Sequence, residues 1–149
     1  MTLNEIAWSF SSKVYRSSEE FNEAVSNYQK TIYKTDQNWK PDEIVFDFPE
    51  LQIQYEAWIS DASQLLENET LIDEEDAFDE DNSDEGMYQV EILSHLKADN
   101  GRNFTALEFL FKTHNQQANK ELGDHTFFEG TDENNLTTVL PTFFIACGS

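Results

Sequence analysis

The chain is short of cysteine, glycine, long apolar runs and, above all, basic residues. Its one cysteine, Cys147, leaves no internal disulfide to form, which suits a reducing compartment. With only five glycines it has no Gly-rich phosphate loop. No apolar run approaches the ~18 residues of a membrane span. Met1 to Phe10 lacks a basic region followed by an apolar stretch, so nothing there marks export. Nine Lys and Arg stand against thirty Asp and Glu, a net charge of −21. That balance excludes a nucleic-acid binder working by phosphate neutralisation, which needs basic surface. What is present is aromatic: twelve Phe, three Trp and five Tyr in 149 residues, 13% of the chain. Disordered acidic chains lack such apolar mass. The expectation is one folded, anionic, cytoplasmic domain covering 1–149.

The charge is unevenly spread. Residues 1–40 hold five acids and five bases, and residues 97–149 seven acids and four bases. Between Lys40 and Lys97 there is no Lys or Arg, and that stretch carries 18 of the 30 carboxylates. Its densest part is Asp73, Glu74, Glu75, Asp76, Asp79, Glu80, Asp81, Asp84 and Glu85. Mutual repulsion opposes compaction there, which predicts an exposed acidic loop or insertion at about 61–86. Such a loop is either a solubilising surface or a docking surface for a basic partner, whose association it would speed.

Ser17 and Glu20 have capping-box spacing, and Phe21, Val25, Tyr28 and Ile32 follow at helical intervals, predicting a helix from about Ser18 to Tyr33. Glu43 to Phe48 reads as a strand that turns at Pro49-Glu50 into Gln52 to Ile59, an antiparallel hairpin. In the second strand Ile53, Tyr55, Ala57 and Ile59 face one way, and Gln52, Gln54, Glu56 and Trp58 the other. Tyr88, Val90, Ile92 and Leu96 alternate with polar residues as a further strand, although Tyr88, Ile92 and Leu96 also fit a helix. Asp99-Asn100-Gly101 signals a turn. Phe104, Leu107, Leu110, Phe111, Ala118 and Leu122 predict a long helix with Gly123 as its C-cap. His125 to Glu129 and Thr138 to Ala146 are two further apolar pieces, with Pro141 at a strand start, bulge or edge. The irregular order of elements predicts an α+β domain: an antiparallel sheet of four or five strands with two main helices.

Little in the sequence supports catalysis or a cofactor. Setting Gly86 at the sixth position of a calcium loop puts Ile92 where a bidentate Glu is required, so the match fails. His95, His114 and His125 fall on different predicted elements, with no zinc-binding spacing among them. His114 is expected buried and hydrogen-bonded on the inner side of the long helix. Asp124-His125 is a poor catalytic pair if it lies on a strand, where neighbouring side chains point to opposite faces. Cys147 has no context that lowers its pKa. No catalytic residue, metal or cofactor is assigned.

Asp99-Asn100-Gly101, Phe104-Thr105-Ala106-Leu107-Glu108-Phe109-Leu110-Phe111, His114-Asn115, Leu122-Gly123-Asp124-His125-Thr126-Phe127-Phe128-Glu129-Gly130 and Pro141-Thr142-Phe143-Phe144-Ile145-Ala146-Cys147-Gly148-Ser149 form a pattern over about residues 86–149. This pattern resembles small bacterial immunity proteins of polymorphic toxin systems. The resemblance implies a cytoplasmic inhibitor that binds and blocks a cognate toxin domain; charge and hydropathy separately predict no nucleic-acid and no membrane partner. A basic, nuclease-like toxin would complement the carboxylates. The expected contact surface is Asp73 to Glu85 together with Glu67, Glu69 and Trp58, an aromatic anchor among charges. An alternative is a DNA mimic that inhibits a DNA-binding protein, which requires carboxylate rows on ordered elements; a third, an acidic enzyme, requires a cleft of converging polar groups.

Overall fold

The computed structural model describes residues 2–72, 78, 83–134 and 140–148. Helix α1, Ser18–Tyr33, starts where Ser17 Oγ accepts the Glu20 backbone N–H. Phe21, Val25 and Gln29 lie on its buried side. The Gln29 amide oxygen accepts the Ala7 N–H at 2.9 Å, and its amide nitrogen donates to the Ala7 carbonyl, fastening the N-terminal segment to the helix. Helix α2, Ala106–Gln117, is capped by Thr105, whose hydroxyl accepts the Glu108 N–H.

The strands are β1 Ile44–Phe46, β2 Glu50–Ile59, β3 Glu69–Leu71, β4 Ser83–Asp84, β5 Met87–Lys97, β6 Phe104–Thr105, β7 Phe127–Asn134 and β8 Thr142–Gly148. Six of them form one mixed sheet in the order β3-β5-β2-β8-β7, with β4 also paired to β5, while β1 and β6 form a separate two-stranded ribbon. The α+β class is as the sequence predicts; the sheet is larger than four or five strands, and β8 runs parallel to β2.

Two expected elements differ. Glu43 to Phe48 does not form a hairpin with β2. Pro49 instead gives its carbonyl to the Ala98 N–H, while β1 turns aside to pair with β6 and seats Phe46 against Phe109 and Phe143. Nor does α2 reach Leu122 or end on Gly123. It stops at Ala118, because Lys120 turns inward to an ion pair and Glu121 forms a β-bridge with Trp58, neither of which a continued helix permits.

Leu51, Ile53, Tyr55, Ala57 and Ile59 of β2 and Val90, Ile92, Ser94 and Leu96 of β5 face the core. His114 is fully buried there, ringed by Trp8, Phe10, Tyr15 and Phe21 at centroid distances of 5.1 to 5.9 Å. The free side of β7 is covered by the chain's beginning through backbone bonds of Thr2, Trp8 and Phe10.

Candidate functional site

The other side of the sheet carries no helix-facing apolar set. Register places Gln52, Gln54, Glu56 and Trp58 of β2 beside His95, Leu93, Glu91 and Gln89 of β5. Across the sheet Thr70, Leu93, Gln54, Phe144 and Asp132 form a single row. Glu56, Gln89 and Glu91 are exposed, while Trp58, Leu93 and Phe144 are half-buried.

Glu56 stands directly opposite Glu91. Gln52 and Trp58 send their N–H groups away from β5, to Pro141 and Glu121, so Glu56, at the same parity, also points its backbone away from β5. The Glu56–Glu91 pair is therefore of the non-hydrogen-bonded kind, with Cα atoms about 4.5 Å apart and side chains close. Like charges so placed destabilise a sheet. The Gln54 amide donates to Glu91 at 3.2 Å, relieving one partner.

Of the residues expected to bind a partner, Trp58 lies on this face. Asp84 and Glu85 are exposed beside it, in a hairpin where Asp84 pairs with Met87 and the two-residue turn Glu85-Gly86 takes positive φ at both positions, 53° and 84°. Asp73, Glu74, Glu75, Asp76, Asp79, Glu80 and Asp81 lie outside the described residues. Among the described residues of the predicted insertion, a 3-10 turn at Ala62–Gln64 is followed by β3.

Comparison with protein-family models, curated proteins and solved structures found no match to this chain. The likeness to immunity proteins thus rests on the sequence pattern alone.

Glu69 is not a surface contact. Its carboxylate and the Lys120 ammonium are sealed from solvent and 2.8 Å apart. Tyr55 and Ser94 hydroxyls and the Leu66 N–H also donate to it. Burial alone would raise the Glu69 carboxyl, but the bonds from Leu66, Lys120, Tyr55 and Gln116 outweigh it and hold the group below its usual range. The same burial, with the neighbouring Glu69 charge, pushes the Tyr55 phenol far above its ordinary value. The cluster ties β3 to the end of α2.

A cavity of about 200 Å³ opens where β2 and β8 part, lined by Glu56, Trp58, Gln117, Asp124, His125, Phe144 and Cys147 among others. Asp124 and His125 sit in the turn before β7 rather than on a strand, and Asp124 Oδ1 lies 3.6 Å from His125 Nε2. Cysteine, histidine and aspartate thus share a cavity wall, but the electrostatics oppose a nucleophile. Burial first and the Glu129 charge second push the Cys147 thiol up to about 12, the reverse of what activates a thiolate. Among the described residues no group of His, Cys, Asp and Glu converges to hold a metal ion. No helix among the described residues is long and apolar enough to cross a membrane.

His114 accepts the Trp8 indole N–H on Nδ1 at 3.1 Å and makes a 2.7 Å contact from Nε2 to the Lys13 carbonyl, so the proton belongs on Nε2. Its pKa is lowered, by burial above all. Its role is to join three parts of the core. Helices do not supply the carboxylate rows a DNA mimic needs, since α2 carries Glu108 and α1 mixes Glu19, Glu20 and Glu23 with Lys30.

Sequence reasoning finds Trp58 on a polar face but misses its setting. Alternation within β2 is visible, whereas the facing of Glu56 by Glu91, 35 residues away, comes from register alone.

Proposed function

We propose that this protein is an inhibitor of the immunity type, which binds a basic, nuclease-like toxin domain and acts by covering it. The observation that carries this reading is the open sheet face, where Glu56 and Glu91 oppose each other beside half-buried Trp58. A fold that gains nothing from that carboxylate pair keeps it where an incoming cation would neutralise it. An aromatic residue set among charges is a usual hot-spot arrangement. The absence of bases between Lys40 and Lys97 gives this region a field of one sign, which steers a basic partner to it.

A search of the neighbouring genes for a basic toxin domain, followed by co-expression with it, tests the reading: cells survive the toxin only when the protein is present. Trp58→Ala should then speed dissociation by about tenfold or more, as for a hot-spot aromatic. Glu56→Lys with Glu91→Lys should slow association and reduce its salt dependence. No rescue, or binding indifferent to both changes, overturns it.

A further inference from the structure

We propose that the cavity between β2 and β8 is a socket for a single arginine side chain of a protein partner, with the guanidinium laid on the Trp58 indole and held by Glu56, Asp124 and Gln117. The partner is that of the inhibitor reading; the socket itself rests on the cavity geometry.

Four observations converge. The first is origin. The described β2–β8 ladder runs from Gln52 to Gln54, and the next bond on that side of β2 is made by Trp58 to Glu121. Glu56 lies between, so its carbonyl faces the opening, an acceptor built into the wall. The second is size. At about 200 Å³ the space is below the roughly 300–1,000 Å³ of small-molecule sites, and suits one long side chain.

The third is the lining. Gln117 is 2% exposed, and its amide nitrogen is engaged by the Thr113 carbonyl at 3.2 Å. Its amide oxygen gives the lining an acceptor. The indole N–H groups of Trp8 and Trp39 donate to His114 and Asn22, whereas Trp58 lines the cavity. Gly123 lies against the indole edge, where a Cβ would make ordinary contact 3.8 Å from Trp58 Nε1, and its φ of 68° disfavours any other residue. The fourth is charge. Exposed Glu56 and Asp124 flank the mouth, and the one basic group in the lining is His125.

A guanidinium meets each demand. It has five donors for several acceptors, it is planar and weakly hydrated, and it stacks on an indole face. An ammonium would pair with the carboxylates but lose the stacking and the spread of donors.

The probe is the peptide acetyl-Gly-Arg-Gly-amide, titrated into the ¹⁵N-labelled full chain while the Trp58 indole N–H signal, identified by its loss in Trp58→Phe, is followed by NMR. Saturable movement of that signal is expected, with about threefold to fivefold weaker binding of the lysine peptide and of its neutral citrulline counterpart. Glu56→Gln with Asp124→Asn should weaken the arginine peptide by a similar factor of about threefold to fivefold, with the thermal midpoint not lowered. A static Trp58 signal, equal binding of the citrulline peptide, or indifference to the double variant overturns the socket. Peptide binding without rescue from the toxin would overturn the inhibitor reading alone, and rescue without peptide binding the socket alone.

Discussion

Two carboxylate settings lie on the same sheet, and they differ in almost every respect. Glu69, at the edge on β3, is sealed with a lysine and further hydrogen-bond donors around it. Glu56 and Glu91, on the two longest strands, face water and each other. Inside, a charge survives only with its partners assembled, so the chain spends a lysine and the last turn of α2 on one carboxylate. Outside, water screens an unmatched pair cheaply enough for it to persist, and the attraction it withholds from the fold is available to something else.

Breaking the buried setting should have the largest effect. Lys120→Met leaves Glu69 buried without its cation and should cost about 3–5 kcal/mol in urea unfolding. Adding Glu69→Gln to it should recover much of that loss, since no bare charge then remains. The Glu69 carboxyl titrates below its ordinary value in the folded chain. Its contribution is therefore present above the usual carboxylate range and fades as pH falls through the lowered value. In Lys120→Met the deficit should shrink as pH falls, because protonating Glu69 removes the bare charge as Glu69→Gln does.

A middle-sized effect is expected at His114, the buried group that stays uncharged. Its folded pKa is depressed, so its stabilisation is complete above the ordinary 6.5 and is lost as pH falls below that value, when Nδ1 must take a proton and release Trp8. His114→Leu should cost about 1–3 kcal/mol at neutral pH, since the Trp8 N–H and Lys13 carbonyl lose their partner. It should also flatten the stability profile just below pH 6.5, read by denaturant unfolding at a series of pH values. A profile with unchanged slope would place the titration elsewhere.

The smallest effect sharpens the contrast. Glu56→Gln removes the facing charge and should stabilise the protein by about 0.2–1 kcal/mol, measured by the same unfolding. A loss of stability would mean that Glu56 serves the fold after all.

Local chemistry was legible where one segment contained its own explanation. Ser17 with Phe21 and Val25 announces α1, and strict alternation announces β2, while Tyr88, Ile92 and Leu96 left β5 open to a helix as well. The burial of His114 also follows from its place beside Leu110. Partnerships over distance were not legible. Nothing near Glu69 names Lys120, 51 positions on, and the apolar spacing of Ala118 and Leu122 argued for a helix that this ion pair cuts short. The Pro49-Glu50 turn looked like a hairpin because the competing partner of β1, Phe104–Thr105, is remote in sequence. For the site, Trp58 stood out by type, whereas the Glu56–Glu91 encounter and the parting of β2 from β8 exist only once register is set. Asp124 and His125 were misjudged for a related reason: the strand begins two residues after His125.

The placement of β8 has a kinetic consequence. It is later in the chain than every other strand, yet it occupies the interior of the sheet, with β2 on one side and β7 on the other. Until residues 142–148 arrive, β7 and the early residues bonded to its outer side have no strand joining them to β2. Assembly therefore waits on contacts of long sequence separation, such as Gln52 with Thr142, and the loop closures they demand slow the search. A nascent chain still lacking β8 presents an unpaired inner edge along β2, the kind of edge on which chains adhere to one another. The sheet cannot close until the ribosome has delivered β8.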